Sequence, residues 1–110
     1  MLPTEITNLL GLVRRARKIL IGTESVRREL LRQNVDLLIF AEDFSASSKR
    51  QVVLTGLKIP EITFGTKQEW GEFWGKQDVG VFGITDKNFA EGILKKFHES
   101  GLHETSDKLS

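Results

Sequence analysis

Helical spacing and short apolar runs alternate from one end of this chain to the other. That rhythm restricts the fold more than any other feature. Ile6, Leu9, Leu10, Val13 and Ala16 recur at helical spacing and predict a helix over about 4–17, with Thr4 as N-cap and Pro3 just outside it. Ile19-Leu20-Ile21 is a short apolar run closed by Gly22 and reads as a short buried strand or extended segment. A second helix is expected over about 23–33, turning Val26, Leu30 and Leu31 inward. Val35-Asp36-Leu37-Leu38-Ile39-Phe40 is almost continuous in strand formers, as a strand covered on both faces requires.

The alternation continues. Asp43 and Ser45 offer caps for a third helix ending near Gly56. Ile59–Phe64 reads as a strand with proline near its start. Thr66-Lys67-Gln68-Glu69 has the capping-box form and opens a fourth helix that Gly75 ends. Val79–Ile84 is the last strand, and Thr85 or Asp86 caps a final helix with Phe89, Ile93, Leu94 and Phe97 inside. Strands separated by helices predict an α/β/α sandwich with a mainly parallel or mixed sheet. At 110 residues this is one domain, expected over 1–98, followed by a polar, frayed tail over 99–110.

Several chemistries are excluded or disfavoured. There is no cysteine, hence no disulfide, thiolate catalysis or cysteine-based zinc site. No glycine-rich phosphate loop, G-x-S-x-G or H-E-x-x-H occurs. His98 and His103 lie in or beside the polar tail, as solvated histidines do. Glu42-Asp43 follows a strand, where some enzymes hold metal; capping of the next helix is the simpler account. The expectation is a non-enzyme without cofactor or metal. The chain shows no apolar run of membrane-spanning length and no signal-peptide pattern, so a cytoplasmic protein with no membrane partner is expected.

The net charge of +1 alone argues against a strongly basic nucleic-acid binder. Its distribution argues the other way. Residues 1–34 hold Arg14, Arg15, Arg17, Lys18, Arg27, Arg28 and Arg32 against Glu5, Glu24 and Glu29, a local +4 that leaves −3 for the remainder. Arginine suits bidentate contacts with phosphate or base edges. Two accounts of the 14–18 cluster stand side by side: basic residues favouring a helix C-terminus, and a polyanion site. The run Gly22-Thr23-Glu24-Ser25-Val26-Arg27-Arg28 is equally two-sided. A glycine followed by free first-turn N–H groups can receive a phosphate. Glu24, Arg28 and Arg32 also fit an i, i+4, i+8 ladder of helix ion pairs. Trp70, Phe73 and Trp74 form an aromatic stripe that is either core or a face for a protein partner, self-association or base stacking.

Four segments carry a resemblance. Asn8-Leu9-Leu10-Gly11-Leu12-Val13-Arg14-Arg15-Ala16, Phe40-Ala41-Glu42-Asp43-x-Ser45, the K-x-E-x-G-x-x-x-G run from Lys67 to Gly75, and Gly83-Ile84-Thr85-Asp86-Lys87-x-Phe89-Ala90 occur in the order found in small bacterial YlxQ-type proteins. Together, over about residues 6–97, they resemble the L-seven-Ae / L-thirty-e ribosomal protein superfamily. The resemblance implies a three-layer α/β/α sandwich with a central four-stranded mixed sheet. It also implies binding of structured RNA, ribosomal or kink-turn, in the translation apparatus, with the ribosome as a partner.

Family binders carry G-x-N-E-x-x-K at a loop and helix start. Here Gly22 matches the glycine and Arg28 falls at the lysine position, while Glu24 and Ser25 replace the asparagine and glutamate. An ionised glutamate donates no hydrogen bond, and serine is short, so phosphate and shape binding is expected rather than guanine-specific contact. A second family loop maps onto Gly75–Val79 and contributes Lys76. Arg17 stands where relatives usually have glycine before Lys18. The RNA-contacting residues expected from the resemblance and the charge map are Arg14, Arg17, Lys18, Gly22, Thr23, Glu24, Ser25, Arg27, Arg28 and Lys76.

Overall fold

The computed structural model describes residues 2–52 and 58–102. Helix α1 spans Thr4–Arg15, α2 Thr23–Leu31, α3 Ala46–Val52, α4 Lys67–Trp74 and α5 Lys87–Glu99. The strands are β1 Ile19–Ile21, β2 Leu37–Phe40, β3 Glu61–Thr63 and β4 Val81–Ile84. The alternation read from the sequence is therefore the observed order.

The ends of elements follow capping chemistry. Thr66 accepts from the Glu69 N–H while Glu69 reaches back to the Thr66 N–H, so the expected capping box is present. Gly75 closes α4 in the left-handed region. Asp86 rather than Thr85 caps α5, accepting from Phe89 N–H at 2.8 Å. Ser45 caps α3 through Ser48 N–H. At α1 the N-cap is Pro3, not Thr4; the extended Pro3 backbone (φ −64°, ψ 132°) already places its carbonyl to accept from Thr7 N–H.

Helices α1 and α2 both stop earlier than their apolar spacing suggests, because each ends in a left-handed non-glycine residue. Arg17 (φ 60°) and Gln33 (φ 56°) take that conformation. Lys18 N–H then donates to Val13 carbonyl and Asn34 N–H to Glu29 carbonyl, the six-to-one bond of a Schellman turn. The expected end of α3 near Gly56 lies outside the described residues, as do His103 and the tail from 103 onward. Glu99, expected in the tail, is the last residue of α5.

The four strands form one mixed sheet in the order β1-β4-β2-β3. Only β2 and β3 are parallel; β4 lies antiparallel between β1 and β2. Gly71 explains the reversal. After α4 the chain folds back along the helix, and Val79 N–H donates to Lys67 carbonyl at 3.1 Å. A Cβ on Gly71 would collide with the Gln77 carbonyl. The close pass returns the chain to the sheet end that β3 left, so β4 must enter antiparallel.

The sheet divides two apolar layers. Leu37, Ile39, Phe82 and Ile84 face α1, α4 and α5; Leu38, Phe40 and Val81 face α2 and α3. Strict alternation along β2 and β4, with every residue of both strands buried, is the signature of a sheet covered on both faces. Leu31 departs from its expected inward position and is 67 % exposed. Val26 and Leu30 already fill the α2 contact with the sheet.

Candidate nucleic-acid interface

Gly22 joins β1 to α2 without a connecting loop. Its N–H donates to Val81 carbonyl at 3.0 Å, completing the β1–β4 ladder, while its carbonyl accepts from Val26 N–H and starts the helix. One residue ends a strand and caps a helix only by adopting φ 95°, ψ 162°, a conformation that strongly favours glycine. Glycine brings no capping side chain. Among the described residues, the N–H groups of Thr23, Glu24 and Ser25 have no acceptor. They form the positive end of the α2 dipole at the surface.

Beyond that end, α2 turns Val26 and Leu30 into the core and leaves Glu24, Arg27, Arg28 and Leu31 outside. These four line an open depression of about 480 Å³. The ion-pair ladder considered for this helix is not formed. Arg32 pairs instead with Glu29, at 3.4 Å, and Glu29 also accepts from Asn34. Among the described residues neither Arg27 nor Arg28 has a carboxylate partner. Their charges are thus available to a ligand.

The β-strand directions sort the remaining candidates. Gly22 sits at the sheet end shared by the start of β4 and the end of β2, where Ala41 N–H meets Gly80 carbonyl. The Gly75–Gly80 loop finishes at that end, and Lys76 lies exposed near its beginning. Arg17 and Lys18 lie at the other end of β1, roughly 10 Å away for a three-residue strand. The positive groups therefore run along the β1 edge and over α2 rather than converging on one point.

Arg14 differs from its neighbours. Its guanidinium donates to Trp74 carbonyl at 3.2 Å and lies 5.5 Å from the centroid of the Trp74 ring. Among the described residues, Arg15, Arg17 and Lys18 have no such partner.

Two other sequence readings change. Glu42 and Asp43 do not cap α3: Glu42 accepts from Gly65 N–H at 3.2 Å and Asp43 from Lys67 N–H at 2.8 Å, tying the β2 exit to the start of α4. No group of acidic or histidine side chains among the described residues has metal-binding geometry. Trp70 and Trp74 are 0 % and 1 % exposed and pack edge-on against Phe82, with Phe73 half-buried beside them. The aromatic stripe is core. Of the two accounts of this stripe, the core one holds for Trp70 and Trp74, whose buried rings offer no face to a partner, a second copy or a base.

Two side chains at the site escaped the sequence reading. Leu31 supplies the apolar wall of the α2 depression. Phe44, half-buried, stacks on Phe40 at 5.9 Å and covers Gly80 at the same sheet end as Gly22. Its signal was an aromatic residue set among acidic and hydroxyl side chains in the 42–48 segment.

Comparison with known proteins agrees with this architecture. The profile of the ribosomal protein L7Ae/L30e/S12e/Gadd45 family matches residues 4–93. A curated relative, "RNA-binding protein YlxQ" of Bacillus subtilis (strain 168), is 30 % identical over 88 residues, covering 78 % of this chain and 88 % of that protein. A solved structure described as a protein with unknown function from Bacillus halodurans C superposes with TM-score 0.74 at 28 % identity, covering 84 % of this chain and 96 % of the other. The Giardia lamblia 15.5kD RNA binding protein shares the fold at TM-score 0.64 and 18 % identity, over 90 % and 92 % of the two chains. With a profile match across most of its length and a relative at this identity and coverage, the chain belongs to the ribosomal protein L7Ae/L30e/S12e/Gadd45 family.

Proposed function

We infer that this protein is a non-catalytic RNA-binding protein of the cytoplasm that takes structured RNA, ribosomal or kink-turn, in the translation apparatus. The observation that carries the reading is that Arg27 and Arg28, which have no carboxylate partner among the described residues, lie beside the N-terminus of α2 at Gly22, which no side chain caps. Free N–H groups and guanidinium groups together suit phosphate oxygens. Membership of the family and the name carried by its curated relative point the same way. Fold alone does not assign a ligand; the exposed, unneutralised cations supply the chemical ground.

Glu24 shapes the mode of binding. An ionised carboxylate repels phosphate and offers only acceptors. Recognition then rests on backbone shape and charge, with Thr23 and Ser25 presenting N–H groups and short hydroxyls, and Arg17, Lys18 and Lys76 adding flanking contacts. Affinity of this kind falls steeply as salt rises.

The test is titration of a labelled kink-turn RNA and a ribosomal RNA fragment at low salt, followed by backbone NMR. Amide shifts concentrated at Gly22–Arg28, Lys18 and Lys76 are expected. Double substitution Arg27→Gln with Arg28→Gln should lower the salt slope by about 1.4–1.8 for two phosphate contacts. Absence of shifts at these residues with either RNA refutes the reading.

A further inference from the structure

We propose that Arg14 is a positioning residue of the RNA interface, holding the loop after α4 in place rather than touching RNA. The proposal rests on the RNA-binding reading and specifies how one of its cations works.

Helix α4 is short, and its last turn contains no basic residue of its own. Its final carbonyls carry the negative end of the helix dipole and need donors. Two are met locally: Lys76 N–H donates to Gly71 carbonyl at 2.7 Å and Gly75 N–H to Glu72 carbonyl at 3.4 Å. Trp74 carbonyl is met from 60 residues away by Arg14. The same guanidinium lies over the Trp74 ring, so one cation addresses both the backbone and the side chain of the last helical residue. Few side chains do both; a planar guanidinium does.

The loop bearing Lys76 begins directly after Trp74. Its path is fixed at three places: by Gly75 in the left-handed region, by the close pass of Gln77 over Gly71, and by Val79 N–H on Lys67 carbonyl. All three use α4 as their reference. The loop then delivers Val81, whose carbonyl holds Gly22. Arg14 thus anchors α4 at the beginning of a segment that ends on the helix start of the binding site. Its guanidinium is occupied, whereas the charged groups of the neighbouring Arg15, Arg17 and Lys18 have no partner among the described residues.

Two measurements on the full chain test this. Amide hydrogen exchange on the free protein reads the loop directly. Arg14→Gln should accelerate exchange at Lys76 and Val79 by about tenfold or more, as expected for loss of a charge-assisted hydrogen bond, while Arg15→Gln leaves both unchanged. Arg14→Lys, which keeps the charge but not the stacked plane, should fall between. Titration with a fluorescein-labelled kink-turn RNA over a range of salt reads the interface. Arg14→Gln should weaken binding, and should lower neither affinity nor salt slope any further when added to Lys76→Gln.

A slope that falls by a further 0.7–0.9 or so when Arg14→Gln is added to Lys76→Gln, about the amount expected for one phosphate contact, overturns the proposal. So do losses that add in the double variant, and so does unchanged exchange in the loop. If the unsubstituted protein binds neither RNA, the function reading fails while the exchange measurement still decides whether Arg14 positions the loop.

Discussion

The indole N–H of Trp70 donates to the carbonyl of Phe64 over 2.8 Å, inside the core and at the centre of an edge-on contact between the two rings. Trp74, one helical turn on and equally buried, has no acceptor for its indole N–H among the described residues. Two tryptophans of one helix thus have opposite polar accounts. Trp70→Phe removes a satisfied bond and strands a buried carbonyl; Trp74→Phe removes an unsatisfied donor. Loss of ring volume is common to both. Urea denaturation should therefore show Trp70→Phe more costly than Trp74→Phe by about 2 kcal/mol, the cost of an unpaired buried polar group. Equal losses would mean that the Trp70 bond contributes nothing net.

The reversal of β4 depends on backbone lying directly on Gly71. Gly71→Ala improves intrinsic helix propensity in α4, so local preference alone predicts a small gain. The added methyl meets the Gln77 carbonyl, which cannot swing aside as a side chain can. The expected result is a loss of about 2–3 kcal/mol, typical of overpacking. Exchange should accelerate in the 76–80 loop and in β4. A gain in stability would show that the loop can lift from the helix at little cost.

Arg17 occupies the left-handed region at the end of α1, where a side chain costs energy that glycine avoids. Arg17→Gly should stabilise the fold by about 1 kcal/mol, a rise in melting temperature of roughly 4–8 °C for a domain of this size. It should also weaken RNA binding and lower its salt slope. Gln33→Gly is the control: Gln33 has φ 56° at the end of α2, so stability should rise in the same way while RNA binding is unchanged. If Arg17→Gly leaves RNA affinity intact, the arginine's charge is not what offsets its strain.

These cases also show what was legible in the sequence. The capping box at Thr66, the left-handed Gly75 and the strand-like runs 35–40 and 79–84, which contain β2 and β4, are local, so pattern alone located them to within two residues. The placement of β4 between β1 and β2 is not local. It follows from Gln77 passing over Gly71, which no periodicity encodes. At the candidate site, Gly22 was readable because strand and helix meet at a single residue. The partners of Arg14 and Glu42 were not, since Trp74 and Gly65 lie 60 and 23 residues away and bond through backbone atoms. Leu31 was misplaced because helical spacing cannot tell which of two adjacent leucines the sheet has room for.

Glu24 sets the sign of the last expectation. It lies in the first turn of α2, where a carboxylate favours the helix dipole, and beside the N–H groups and arginines offered to RNA. Glu24→Gln should therefore act in opposite directions on two measurements. Stability should fall slightly, by about 0.3–1 kcal/mol, as the dipole loses its counter-charge. Affinity for a kink-turn RNA at low salt should rise by about fivefold, since one repulsive unit charge near a phosphate costs roughly 1 kcal/mol in a water-like environment. Raising the salt should shrink that gain, because the repulsion is screened. A loss of affinity would carry a different meaning: the carboxylate would then be accepting hydrogen bonds from a base edge, and binding by α2 would be sequence-selective rather than directed at phosphates.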